Sequence, residues 1–208
     1  MSSNTITDIL NIALFIVFLL IALRSFYLYF RIRSARLFIL GLSMGVIALT
    51  ALADSLPDYI TVVQLNTDWF LFLGQTVSFM FILFSLVMNA EGRLRRLVSY
   101  HVISSLLLLL LLGLAPFLPD FPNGLVKMAL SGSRGIVCLI IFFFYASSFM
   151  NKETRFSFLM GAAFLLLSLG YLIILPKYVL PHQELLDYAG DIIRVSGVVT
   201  MLGGFIAG

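Results

Sequence analysis

Over 208 residues the chain is 61% hydrophobic and only 11% charged, with 20 phenylalanines and a mean hydropathy of +1.09. Soluble domains carry about 25% charged residues, so a water-soluble fold is excluded. The net charge of +3 is no signal for nucleic acid, because basic residues in such a chain mainly set orientation. The lone Cys138 lies in an apolar run and excludes an internal disulfide.

At roughly 20 residues per crossing, this length accommodates about seven transmembrane helices with short loops and no further soluble domain. The expected fold is all-α: one polytopic domain over 1–208, a bundle of seven spans. The first span is expected over 9–30, after a polar tip that includes Asp8. That tip is unlike the basic start of a signal peptide, and no cleavage site follows, so the helix reads as retained. Arg24, Arg31, Arg33 and Arg36 crowd its far end beside Tyr27 and Tyr29. The second span, 37–56, contains Gly41 and Gly45, a small-xxx-small face that permits close helix packing.

Asp54, Pro57, Asp58 and Asp68 make the next loop acidic, and the third span, 69–88, carries Gln75 and Ser78. A basic turn, Glu91–Arg96, leads into the fourth span, 97–118, with seven consecutive leucines from Leu106 to Leu112 expected to face lipid. Pro116, Pro119 and Pro122 close that helix. The fifth span, 125–150, holds Lys127 near its start and Arg134 further in. The sixth, 156–175, is followed by Pro176 and Pro181, and the seventh, 184–207, opens with Asp187, Asp191 and Arg194.

Loop charges orient the array. One side collects Arg24, Arg31, Arg33, Arg36, Arg93, Arg95, Arg96, Lys152 and Arg155 against Glu91 and Glu153. The other collects Lys127 and Lys177 against Asp8, Asp54, Asp58, Asp68, Asp120, Glu184 and Asp187. The positive-inside rule then expects the N-terminus outside and the C-terminus cytoplasmic. A faint internal repeat accompanies this arrangement. Gly41 matches Gly161 at an offset of 120, and Asp68-Trp69 matches Asp187-Tyr188 at 119, which pairs Gln75 with Arg194 and Ser78 with Gly197. A 3+1+3 duplication and chance similarity between apolar segments are both open explanations.

Catalytic signatures are absent from the sequence. His101 and His182 fall near opposite faces of a ~30 Å membrane and cannot jointly hold a haem. No cluster has metal-ligand spacing, and no serine stands in a nucleophilic pattern. Gly203-Gly204 lacks the strand and lysine of a phosphate loop, and the seventh span has no lysine for a retinal Schiff base. The expectation is therefore no enzyme, no catalytic residue, no metal and no cofactor.

The candidate site lies in the outer half of the bundle. Asp187, Asp191 and Arg194 are spaced i, i+4, i+7 and share one helical face. Asp191 and Arg194 lie ~10 and ~15 Å below the start of their span, and Arg134 lies ~14 Å below the start of its own. An Arg134–Asp191 pair is expected on these depths, with Asp187, Asp54, Asp68, Asn66 and Gln75 nearer the outer mouth. Three roles stay open: an ion pair that locks helices together, a pocket for a small ligand, and an ion path.

Seven spans, an outside N-terminus and short basic inner turns resemble the membrane-embedded sensor modules of bacterial signalling proteins. The segments 36–52 and 155–175 share the arginine-then-glycine-rich texture of such modules. The resemblance implies a sensing or scaffold function in a prokaryotic cytoplasmic membrane. Modules of that class often precede a kinase or cyclase domain, and none follows Gly208 here, so signalling through a partner protein is the expectation. The implied partners are the lipid bilayer, a protein partner or second copy, and an unknown small ligand, with no nucleic acid. The arrangement also resembles small seven-span sugar transporters, although spans one and five lack the prolines of that family. A small-solute transporter and an accessory subunit of a larger complex are the alternatives.

Overall fold

Several apolar runs end at a strained residue, Arg33 or Glu153, or just before a proline, Pro116 or Pro176. The computed structural model describes residues 3–59, 65–121, 124–179 and 184–207; the side chains of 3–8, 55–59 and 184 fall outside the description. Asp8, Pro57, Asp58, Pro122, Pro181, His182 and Glu184, which enter the sequence reading, therefore lie outside the described residues or side chains. The helices are α1 (Ser3–Ile32), α2 (Ala35–Tyr59), α3 (Asp68–Val87), α4 (Glu91–Gly113), α5 (Gly124–Lys152), α6 (Arg155–Ile173) and α7 (Glu184–Ala207). Short 3₁₀ turns follow α4 at Ala115–Phe117 and α6 at Leu175–Tyr178. Among the described residues seven helices are long and apolar enough to cross a membrane, which makes this an integral membrane protein.

Several boundaries differ from the sequence expectation: α1 begins at Ser3 rather than 9, and α4 covers Glu91–Gly113 rather than 97–118. Glu91–Arg96 is the opening of α4 rather than a loop. Its carboxylate sits in the first turn, where the helix dipole favours negative charge. Leu94 and Leu97 are buried while Arg93, Arg95 and Arg96 point outward, so the segment is amphipathic. In the leucine run, Leu106, Leu107, Leu109 and Leu110 are exposed on the apolar surface, Leu108 is buried and Leu112 packs beside it.

By density of contact the chain divides into two compact units, residues 1–122 and 123–208. In unit 1, α1 and α2 form a tight hairpin whose turn rests on Arg33, in the left-handed region at φ 59°, with its amide bonded to Tyr29 O at 2.7 Å. Phe26 of α1 lies over Gly41, and Ala22 faces Gly45, so this small-residue face is used inside the unit. In lipid, helix association comes from such close packing and from interhelical hydrogen bonds, since burial from water contributes little. Val46, Ala53, Phe70 and Leu108 join α2, α3 and α4 at one end of the unit, and Ile39, Leu94 and Leu97 join α2 and α4 at the other.

Unit 2 contains α5, α6 and α7. Its α5–α6 turn rests on Glu153 at φ 49°, whose amide reaches Phe149 O at 2.7 Å, and Thr154 caps α6 by accepting from the Ser157 amide. Ser168 of α6 donates to Gly135 O of α5 at 2.8 Å. Along α7, Gly190, Gly197 and Gly204 recur every seven residues and pack on Gly170, Ala163 and Leu159 of α6. A seven-residue spacing keeps one helix face turned to one neighbour, and the missing side chains let the backbones approach closely. This seam is more extensive than Gly41/Gly45 and was not anticipated from the sequence.

Candidate functional site

The sequence-selected residues fall into both units. In unit 1, Asp54 Oδ2 accepts from Asn11 Nδ2 at 2.9 Å and so ties α2 to α1. Asp68 opens α3, where its charge complements the helix dipole. Gln75 is buried and donates to Thr50 Oγ1 at 3.0 Å; Thr50 in turn donates to Ile47 O at 2.7 Å. Asn66 Nδ2 donates to Leu118 O and Asp120 Oδ1, and Trp69 Nε1 to Pro119 O, which fixes the start of α3 against the segment after α4. Deeper in the unit, His101 stacks on Phe81 with centroids 4.2 Å apart, and its Nε2 lies 3.4 Å from Ser43 Oγ.

Arg134, Asp187, Asp191 and Arg194 all belong to unit 2, at the end that carries the α6–α7 connection. Arg134 of α5 is 2% exposed and Asp191 of α7 4%, so both are taken out of solvent. Such burial is strongly unfavourable unless the charges are paired and hydrogen-bonded. Arg194 supplies the answer for Asp191: its Nη2 donates to Asp191 Oδ1 from one turn along the same helix. The direct Arg134–Asp191 pair expected from depth is therefore replaced by an i, i+3 pair within α7. Depth gives the height of a side chain in the membrane but not its direction around the helix axis. Arg134 folds back on its own helix, with Nε donating to Leu130 O at 3.3 Å and Nη2 to Ser131 Oγ at 2.6 Å.

The two arginines nonetheless meet, through a residue that the sequence reading missed. Tyr171 of α6 is buried, with Arg134 Cζ 4.9 Å and Arg194 Cζ 5.2 Å from its ring centroid. A guanidinium over an aromatic face gains about 2 kcal/mol when desolvated, which offsets part of the burial cost. Gly170, immediately before Tyr171, makes this arrangement possible. A Cβ at 170 would stand 2.5 Å from Arg194 Cγ and 2.9 Å from Gly190 O, so only glycine leaves room for the arginine stem.

Around this core, Ser131 Oγ lies 3.4 Å from Tyr178 Oη, and Lys177 Nζ bonds both Asp187 oxygens at 2.6 and 2.7 Å. The Lys177–Asp187 pair staples the 3₁₀ turn after α6 to the first turn of α7. It is partly exposed, so its contribution is within about 1 kcal/mol. Arg194 Nε is buried with no hydrogen-bond partner in the structure. Among the described residues no group of three His, Cys, Asp or Glu side chains could hold a metal ion. The cluster thus offers forked N–H donors, an aromatic face and one carboxylate already engaged. Groups of this kind hold an anion in place.

No protein family, curated protein or solved structure matches the chain.

Proposed function

We propose that the chain is a non-enzymatic membrane module, a sensor or scaffold, in which Arg134, Tyr171 and Arg194 receive a small organic anion. The observation behind this reading is the meeting of two guanidinium groups from different helices on one buried ring. A planar fork matches a carboxylate, and the unpartnered Arg194 Nε is a donor such a ligand would use. The cluster spans α5, α6 and α7, so an anion seated there would bias how these helices pack, and a partner protein could read the change. With basic connections inside, as the positive-inside rule requires, the cluster lies in the outer half and samples outside solutes.

Thermal unfolding in detergent, with sodium acetate or benzoate titrated at constant ionic strength, tests this reading. Saturating stabilisation is expected, about 2.7 kcal/mol at a hundredfold excess over the dissociation constant. Arg194→Lys, which retains the charge beside Asp191 but not the planar fork, should weaken the response, and Lys177→Gln should leave it intact. A response identical in all three proteins contradicts the assignment.

The orientation has its own test. Gly92 sits in the exposed first turn of α4, and a Cβ there meets nothing within 4 Å, so cysteine is tolerated. In a Cys138→Ala background, Gly92→Cys is expected to react with an impermeant maleimide only after the membrane is opened. Reaction on intact cells would reverse the topology.

A small-solute transporter is the second reading, and it is favoured by internal correspondences that support the 3+1+3 repeat. The turns at Arg33 and Glu153 stand 120 residues apart, each with positive φ and the same amide-to-carbonyl closure at 2.7 Å. Gln75 bonds Thr50 in unit 1, and at the matching positions of unit 2 Arg194 lies against Gly170. Accumulation of labelled benzoate by proteoliposomes would select this reading over the sensor.

A further inference from the structure

A second candidate site lies at the opposite end of its unit from Asp54 and Asp68, and it is independent of the cluster in unit 2. Between the α1–α2 turn and the α3–α4 turn of unit 1 is a cavity of about 470 Å³. Its polar lining is Arg33, Ser34, Arg36, Asn89, Glu91 and Arg95, three guanidiniums against one carboxylate. That volume is within the ~300–1,000 Å³ typical of small-ligand sites. We propose that this cavity binds the phosphate headgroup of an anionic phospholipid from the leaflet that the basic turns face.

Several features of the lining fit this occupant. Arg36 Nη2 donates to Met88 O at 3.1 Å and Asn89 Oδ1 at 3.2 Å, so it fixes the α3–α4 turn and shapes the cavity. Arg33 and Arg95 are exposed at its rim, one from each turn. Arg33 occupies the left-handed C-cap position at φ 59°, where glycine is the residue without steric cost. An arginine held there keeps a guanidinium at the rim despite that cost. The walls also include Ile32 and Leu94, and Phe30 and Ile32 are 66% and 63% exposed at the same end of α1. A ligand seated here meets cations on its head and apolar side chains along its flank, which suits a phospholipid better than a free phosphate ion. Guanidinium forks match phosphate oxygens, and each basic side chain near an anionic lipid surface adds to binding.

The α1–α2 turn allows a clean test, because Arg33→Gly removes the guanidinium while relieving the backbone. The full chain in detergent is examined by native mass spectrometry with added phosphatidylglycerol, phosphatidylcholine or inorganic phosphate. The expected result is a retained phosphatidylglycerol adduct, preferred over phosphatidylcholine by about tenfold or more. Arg33→Gly combined with Arg95→Gln should abolish the preference with no loss of thermal stability, and Arg155→Gln in unit 2 should preserve it. Equal retention of the two lipids, or a preference that survives the double substitution, overturns the site. Displacement of phosphatidylglycerol by inorganic phosphate overturns the lipid as its occupant.

Discussion

Gly190→Ala should destabilise unit 2 by about 3 kcal/mol, the upper part of the range for overpacking a tight interface. A Cβ at 190 would collide with Ile174 and stand 2.9 Å from Gly170 O. The carbonyl is backbone, so no rotamer change relieves it, and α7 must move away from α6. That movement would also draw Arg194 off Tyr171, which couples the seam to the cluster. Gly203→Ala is the matched control, since a Cβ there meets nothing within 4 Å. It should be neutral, or stabilising by up to about 1 kcal/mol through helix propensity. Unfolding in mixed micelles measures both, and equal effects would show that the glycine seam does not set the α6–α7 distance.

The second large effect concerns Asp191. Asp191→Asn should cost about 2–3 kcal/mol, because Arg194, its side chain 19% exposed, is left in a largely dry site without its carboxylate. Adding Arg194→Gln should recover much of that loss, since removing both members of a buried pair is often close to neutral. The coupling energy of this cycle is expected at the upper end of the ~0.5–3 kcal/mol seen for contacting residues, and that of Asp191→Asn with Arg134→Gln well below it. A larger coupling to Arg134 than to Arg194 would contradict the geometry.

These two effects mark where the sequence was legible and where it was not. The spans followed from hydropathy, and some of their ends from Pro116, Pro176 and the arginine-rich α1–α2 turn, because those features act locally. That Arg134 and Arg194 come to one level of their unit was also legible, since helical rise is constant. The azimuth was not, and it decides that Asp191 meets Arg194. Tyr171 carried no sequence signal, because an aromatic in an apolar helix is ordinary until two cations are found over it. The glycines at 190, 197 and 204 had a readable period, but only the structure shows that α6 lies along them. In Glu91–Arg96 four charged residues out of six mask the helical pair Leu94 and Leu97, whose burial only the packing reveals.

The central claim is that an outside anion meets Arg134 and Arg194 together, and nitrogen NMR of the arginine side chains tests it most directly. The protein, labelled with ¹⁵N-arginine and embedded in bilayers, would be titrated with sodium benzoate at constant ionic strength. Single Arg→Lys variants would assign the guanidinium resonances. The account predicts saturable shifts of the Arg134 and Arg194 signals at one common concentration, with the arginines of the basic turns unmoved. Resonances of Arg134 and Arg194 that stay in place across the titration, or that shift only in parallel with all the others, would contradict it.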